Sequence, residues 1–142
     1  ASAIWLAPYG VLVVTLDIAD LPSPALDKLS RQQFFEEEEF DRVCTFIQGE
    51  SSEVAKGWPD NYFSMIFVDG EHTYEDGKAD ILAWSPKLKS GGWMLFHDYS
   101  DSQFTLVRSI DELVRDSGEF TDFRVAKNLG FGISSMAGAV KK

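Results

Sequence analysis

Four short, nearly continuous apolar runs limit the folds open to this chain more than any other feature. Runs of this kind are typical of parallel strands that are covered on both faces of a sheet. Helix-like stretches alternate with them, so the sequence predicts an α/β sandwich with a mainly parallel sheet. The runs are Val11–Leu16, Arg42–Ile47, Met65–Val68 and Trp93–Phe96.

Three helices and a hairpin complete the expected secondary structure. Ser23 and Pro24 offer an N-cap followed by proline at the first helical position, which favours a helix start there. A second helix is expected over Tyr74–Leu88, ended by Gly91 and Gly92. A third helix is expected over Phe104–Asp116, and a closing antiparallel hairpin over Phe123–Val125 and Phe131–Ile133.

Ionisable side chains follow two of the apolar runs. Asp69 and His72 come after Met65–Val68, and His97 and Asp98 come after Trp93–Phe96. In an open α/β sheet, ligands bind outside the carboxyl ends of the strands. The four side chains are therefore expected to converge on one site.

A further carboxylate, Asp17, ends the first run. At a strand tip it can accept hydrogen bonds from ribose hydroxyls, although many such residues only cap the following turn. After the second run, Gly49 permits close approach of the backbone, and Ser51 or Ser52 can cap a helix. An ordinary strand-to-helix turn explains that segment equally well.

Size and charge limit the classes of partner. The 142 residues, 44% of them hydrophobic, fit one domain, and the single cysteine, Cys44, excludes an internal disulfide. The net charge of -10 argues against a nucleic-acid partner. No run reaches the roughly 18 apolar residues of a membrane span. We expect a cytoplasmic protein with a small-molecule substrate. The protein could also form a homo-oligomer.

Five motifs taken together resemble the class I S-adenosylmethionine-dependent methyltransferases, and most of all the branch that includes macrocin-type sugar O-methyltransferases. The resemblance implies a Rossmann-like three-layer sandwich and methyl transfer to a small-molecule hydroxyl, such as that of a sugar or natural product. The motifs are Leu-Asp ending at Asp17, Gln-Gly-Glu-Ser from Gln48, Ile-Phe-Val-Asp-Gly-Glu-His-Thr-Tyr from Ile66, Lys-Ser-Gly-Gly-Trp from Lys89, and Phe-His-Asp-Tyr from Phe96.

The resemblance also implies roles for individual residues. His72 would be the general base that deprotonates the acceptor hydroxyl, and in metal-dependent members Asp69 and Asp98 would coordinate Mg²⁺. Without a catalytic role, His72 could cap the helix near Tyr74, and the two carboxylates could cap helices. The implied S-adenosylmethionine-binding residues are Asp17 for the ribose, Gly49, Glu50 and Ser51 near the adenine, and Asp69 with Gly70 beside the methyl donor.

The family's first strand and glycine-rich turn have no counterpart here, because Ala1–Ala7 resembles only the end of the helix after that turn. We therefore expect residues 1–142 to form one methyltransferase-like domain that is truncated at its N-terminus and lacks the first strand. Two alternatives stay open. One is a catalytically silent binding or assembly module. The other is a nicotinamide-dependent oxidoreductase, because an acidic residue at a strand tip can also bind the ribose of a nicotinamide cofactor.

Overall fold

The computed structural model describes residues 13–17, 44–99, 105–130 and 133–142. The chain divides into two compact units, residues 1–53 and 54–142. In the first unit, strands β1 (Val13–Asp17) and β2 (Cys44–Gln48) pair in parallel, with Asp17 opposite Gln48. The first two residues of each of the apolar runs that predict these strands lie outside the described residues. The helix predicted at Ser23 and Pro24 lies outside the described residues.

Glu50 caps the short helix α1 (Ser51–Ala55). Its carboxylate accepts hydrogen bonds from the backbone N–H groups of Ser52, at 3.1 Å, and Glu53, at 2.9 Å. These donors have no partner within the first turn of a helix, and a negative charge there is favoured by the helix dipole. The prediction that Ser51 or Ser52 caps this helix is therefore wrong, because the carboxylate of Glu50, the residue before the helix, accepts both hydrogen bonds.

The second unit contains a four-stranded sheet in the order β3, β4, β6, β5. Its strands are β3 (Phe63–Val68), β4 (Leu88–His97), β5 (Phe120–Gly130) and β6 (Ile133–Lys141). β3 and β4 pair in parallel, whereas β6 is antiparallel to both β4 and β5. The predicted α/β class and the C-terminal antiparallel hairpin are confirmed, with longer hairpin strands than the sequence indicated.

Helix α2 (Tyr74–Trp84) is shorter than predicted. Proline at position 86 has no N–H to continue the helical hydrogen bonds, so the chain passes into a 3₁₀ turn at Ser85–Lys87. β4 then begins at Leu88, which was expected to end the helix. The predicted boundary at Leu88 is thus wrong by four residues.

Gly91 and Gly92 lie within β4 and do not terminate a helix. The pairing of β3 with β4 shifts between Phe63 and Met65, so β4 carries extra residues at this point. Gly91 has φ +78°, and a Cβ on Gly92 would lie 2.9 Å from the backbone oxygen of Ser64. Glycine is therefore required by the close approach of the two strands.

Helix α3 (Leu106–Ile110) continues as a π-helical turn over Asp111–Arg115, close to the predicted third helix. It packs with α2 against one face of the sheet, and burial of these apolar side chains is the main stabilising term of the unit. No helix in the described ranges is long and apolar enough to span a membrane. The buried core comprises Val68, Ile81, Leu88, Met94, Phe96, Leu106, Ile110, Val114, Phe120 and Ala139.

Candidate active site

The carboxyl ends of β3 and β4 carry the ionisable cluster. Val68 pairs with Phe96 in parallel register, so the residues that follow these two positions emerge at the same edge of the sheet. Asp69 follows β3 directly, His97 is the last residue of β4, and Asp98 comes next. This placement explains why two motifs far apart in sequence meet in space.

Asp98 contacts both histidines of the chain. Its Oδ2 atom lies 3.1 Å from Nε2 of His72 and 2.9 Å from Nδ1 of His97. Oδ1 of Asp69 lies 3.4 Å from the same His97 nitrogen. The Asp98 side chain is 15% exposed and the Asp69 side chain 50%, so Asp98 is the shielded carboxylate of the cluster. The four predicted side chains therefore lie together, and their roles stay predictions.

The His72–Asp98 contact is the aligned one of the two. Nδ1 of His97 is close to Oδ2 of Asp98, yet it is buried without a hydrogen-bond partner, because a bond needs direction as well as distance. Nε2 of His72 meets the hydrogen-bond criteria with the same oxygen. An ionised carboxylate only accepts hydrogen bonds, so with Asp98 ionised this contact predicts the tautomer in which Nε2 of His72 carries the proton.

The backbone at Asp98 is held in an uncommon conformation. Asp98 has φ +55°, in the left-handed region that aspartate tolerates better than most residues. Its N–H donates to the carbonyl of Ser135 at 3.0 Å, which extends the pairing of β4 with β6. Such backbone strain recurs at functional sites, where the surrounding structure keeps a side chain in place.

His72 occupies the loop that leads into α2. Thr73 is the N-cap of that helix, and its hydroxyl accepts a hydrogen bond from the N–H of Asp76 at 3.1 Å. The alternative that His72 caps this helix is therefore wrong. The His72 carbonyl accepts a hydrogen bond from the N–H of Leu106 at 3.2 Å, so α3 fixes the backbone of the loop.

The residues predicted to bind cofactor lie at strand ends in both units. In the first unit, Asp17 ends β1 and is paired with Gln48, after which Gly49, Glu50 and Ser51 follow. In the second unit, Gly70 follows Asp69, and a Cβ at Gly70 would lie 3.1 Å from an oxygen of Asp80. These positions agree with strand-end ligand binding, while their contacts with a cofactor stay predictions.

The donor set of the cluster differs from the one predicted for Mg²⁺. The potential ligand atoms of His72, His97 and Asp98 lie within 4.8 Å of one another. Two of the three are imidazole nitrogens, and Mg²⁺ prefers oxygen ligands in near-ideal octahedral geometry. Asp69 does not belong to this group of described residues. The Mg²⁺ site predicted from Asp69 and Asp98 therefore does not fit the arrangement.

Sequence reasoning did not identify the polar contacts between α3 and the two loops of the site. Tyr99 donates a hydrogen bond to Asp111, and Tyr74 donates one to Glu112. A signal for part of this arrangement is present, because Asp111 and Glu112 each have an arginine four residues away. Those pairs, Asp111 with Arg115 and Arg108 with Glu112, are ion pairs in the structure.

A family model described as a methyltransferase domain matches residues 6–99, which is more than half of the chain. Over 61 residues the chain is also 33% identical to the uncharacterized protein y4gI of Sinorhizobium fredii (strain NBRC 101917 / NGR234). That alignment covers 43% of this chain and 7% of y4gI, so the chain spans a small part of that relative.

Solved O-methyltransferase structures share the fold. An O-methyltransferase from Bacillus cereus, in complex with SAH, matches 99% of this chain and 69% of its own length, with 18% identity and a TM-score of 0.72. A proposed O-methyltransferase from Klebsiella pneumoniae matches 99% and 68%, with 16% identity and a TM-score of 0.74. CalS11, a TDP-rhamnose 3'-O-methyltransferase of calicheamicin biosynthesis, matches 89% and 57%, with 18% identity and a TM-score of 0.60.

Proposed function

Because the chain belongs to the class I S-adenosylmethionine-dependent methyltransferase family, we propose that its protein transfers a methyl group from that cofactor to a hydroxyl oxygen of a small molecule. The observation that carries the proposal is the 3.1 Å hydrogen bond between Nε2 of His72 and Oδ2 of Asp98. It orients an imidazole at the edge of the sheet where this fold binds ligands.

The proposed role of His72 follows from the hydrogen bond. Because Nε2 carries the proton that is donated to Asp98, Nδ1 of the neutral ring is the nitrogen that can accept a proton. The acceptor hydroxyl loses its proton to Nδ1 as its oxygen forms a bond to the methyl carbon. Asp98 stabilises the resulting imidazolium, because a carboxylate beside it favours the charged ring.

When bound, the cofactor would supply an activated methyl group on a sulfonium, and the sulfur would take the carbon–sulfur electron pair as the leaving group. The chain's own task is to align and deprotonate the acceptor. Asp17, Gly49, Glu50 and Ser51 would bind the adenosine part, and Asp69 with Gly70 would lie beside the methyl donor. Mg²⁺ is not part of this proposed mechanism, since the histidine-rich donor set does not fit it.

A sugar or another natural-product hydroxyl is the proposed acceptor. CalS11, whose name gives TDP-rhamnose as substrate, shares the fold and is one support for this class. The net charge of -10 is a second, because it disfavours a polyanionic nucleic-acid substrate. We also propose that the protein acts without a membrane partner.

The test is a methyl-transfer assay on the protein as expressed from its own gene. The purified protein is incubated with S-adenosylmethionine and a panel of nucleotide-linked sugars and phenols, and formation of S-adenosylhomocysteine is measured. A positioned general base contributes roughly 10²- to 10⁴-fold, so we expect His72→Ala to lower kcat by that factor with cofactor affinity unchanged.

Glu71→Ala is the matched control, because Glu71 is the exposed neighbour of His72 and should be dispensable. Unchanged turnover in His72→Ala would remove His72 from the base role. A protein that binds no S-adenosylmethionine would instead support the alternative of a catalytically silent module.

A further inference from the structure

Two adjacent carboxylates on the π-helical turn that follows α3 hold the two loops of the candidate site. Asp111 accepts a hydrogen bond from the Tyr99 hydroxyl at 2.5 Å, and Glu112 accepts one from the Tyr74 hydroxyl at 2.7 Å. Tyr99 directly follows Asp98, and Tyr74 comes two residues after His72. Each loop is therefore tied to the same helical segment through a tyrosine one or two residues after its candidate catalytic side chain.

An arginine completes the first of these contacts. Arg115 forms an ion pair with Asp111 at 2.7 Å and also donates a hydrogen bond to the Tyr99 hydroxyl at 3.2 Å. The three side chains, Tyr99, Asp111 and Arg115, form the Tyr99 triad. Because each member contacts the other two, the position of the phenol is determined by more than one bond.

A second arginine, Arg108, makes equivalent contacts at the loop that carries His72. Arg108 forms an ion pair with Glu112 at 2.8 Å, and its guanidinium carbon lies 4.7 Å from the centre of the Tyr74 ring. The three side chains, Tyr74, Glu112 and Arg108, form the Tyr74 triad. Hydrogen bonds between charged partners and stacking of arginine on an aromatic ring are both directional, so the triad fixes the ring as well as its hydroxyl.

The start of α3 reinforces the second loop through the backbone. The Thr105 hydroxyl accepts a hydrogen bond from the N–H of Tyr74 at 2.8 Å, and the N–H of Leu106 donates to the carbonyl of His72. Both sides of Thr73 are therefore attached to one helix end. The loop carrying His72 cannot shift along the sheet edge without breaking these bonds.

We propose that Asp111 and Glu112 are positioning residues, which hold the Asp98 loop and the His72 loop at the separation that the His72–Asp98 hydrogen bond requires. Neither carboxylate reacts with substrate. They act by anchoring both loops to one helical segment, whose turn places consecutive residues toward different loops. The proposal rests on the proposed function only for its effect on methyl transfer.

The ionisation of the triads agrees with this role at neutral pH. Burial, and then the bond to Asp111, raise the pKa of Tyr99, so the phenol stays protonated and able to donate. The bond from Tyr74, and then Arg108, lower the pKa of Glu112, so that the carboxylate stays charged. The Tyr99 phenol and the Glu112 carboxylate therefore keep these hydrogen bonds at neutral pH.

The two triads should not contribute equally. The side chain of Asp111 is 25% exposed and that of Glu112 is 44% exposed. Water competes more strongly for the exposed groups, so the Tyr74 triad is the weaker anchor. The proposal therefore predicts an order of effects, with Tyr99→Phe more harmful to the site than Tyr74→Phe.

The experiment uses the two histidines as probes, because the chain contains only His72 and His97. Imidazole nitrogen and carbon-bound proton signals are recorded across pH for the wild type, for Tyr99→Phe, for Tyr74→Phe and for the double variant. His72→Gln assigns the signals. We expect the imidazole ¹⁵N shifts of His72 to move in both single variants, more in Tyr99→Phe, and most in the double variant.

Turnover supplies the second readout. A displacement of about 1 Å can cost up to 10²-fold in rate, so we expect a kcat lower by about tenfold in Tyr99→Phe with little change in KM. Tyr62→Phe is the matched control, because Tyr62 is 44% exposed and its described ring contacts are with Trp58 and Phe63. It should leave both readouts unchanged.

Carboxylate variants keep the test valid if a tyrosine variant folds poorly. Asp111→Asn keeps an oxygen that can accept the phenol hydrogen bond, so it should perturb His72 less than Asp111→Ala does. Unchanged His72 signals in a folded double tyrosine variant would overturn the positioning role. If the wild type transfers no methyl group, the proposed function fails, and the histidine signals alone still decide whether the triads position His72.

Discussion

Replacing Gly77 with alanine should loosen the contact between α2 and α3. Gly77 is buried in α2, and a Cβ added there would lie 2.3 Å from Cδ1 of Leu106 and 2.6 Å from Oγ of Ser109. Both distances are far below van der Waals contact. Leu106 is 3% exposed and Ser109 is fully buried, so both side chains would have to move within the interior. Rotation of these two side chains or a shift of α3 must therefore relieve the overlap.

The size of the effect follows from two opposing terms. Overpacking of a buried site costs about 1–3 kcal/mol. Alanine stabilises a helix by about 1 kcal/mol relative to glycine, and this gain offsets part of that cost. We expect a net loss of about 1 kcal/mol in the free energy of unfolding, which corresponds to a Tm lower by about 4 °C for a domain of this size.

Thermal unfolding followed by circular dichroism measures the change. Gly57→Ala is the control, because its new Cβ would lie 3.4 Å from the nearest atom, the carbonyl oxygen of Val54, which is ordinary contact. Leu106→Ala removes the clashing methyl group, so adding Gly77→Ala to it should cost less than Gly77→Ala costs alone. The reasoning is refuted if Gly77→Ala raises Tm, or if the two losses simply add.

Two further predictions concern pH and metal ions. Because the folded-state pKa of Glu112 lies below its ordinary value of 4.5, its contribution to stability should be complete above pH 4.5 and lost as pH falls through the lower folded value. The pKa of Tyr99 is raised above 10.0, so its contribution should be complete below pH 10.0 and lost as pH rises through the raised value. Thermal unfolding of both variants across pH checks these two predictions. Glu112→Gln should lose the fall in stability that the wild type shows at acidic pH, and Tyr99→Phe should lose the fall at alkaline pH. Calorimetry with MgCl₂ should detect no tight binding, because the clustered donors include two imidazoles; tight binding that Asp98→Asn abolishes would restore the predicted magnesium site.

The sequence predicted the sheet edge that carries the site because the relevant signals are local. The apolar runs that end at Val68 and Phe96 are typical of buried parallel strands, and Asp69, His97 and Asp98 follow them directly. Parallel pairing alone brings these positions together. A local signal also predicted the C-terminal hairpin, since the last part of the chain is rich in apolar residues and glycine.

Features that depend on contacts between distant residues were not predicted. The early end of α2 could have been inferred from Pro86, but the bulge that takes up Gly91 and Gly92 depends on how β4 meets β3. The Tyr74–Glu112 hydrogen bond joins residues 38 positions apart, and only the packing of α3 brings them into contact. Spacing indicated the ion pairs within the helix, and nothing in it indicated their phenol partners.

The proposed base role of His72 depends most directly on which nitrogen carries the proton in the neutral ring. The imidazole ¹⁵N shifts of His72, measured in the wild type above the pKa of the ring and assigned with His72→Gln, report this. The hydrogen bond to Oδ2 of Asp98 predicts the Nε2–H tautomer, which leaves Nδ1 to accept the proton of the acceptor hydroxyl. A dominant Nδ1–H tautomer would contradict the account, because Nε2 could then not donate to Asp98 and the proposed basic nitrogen would already be protonated.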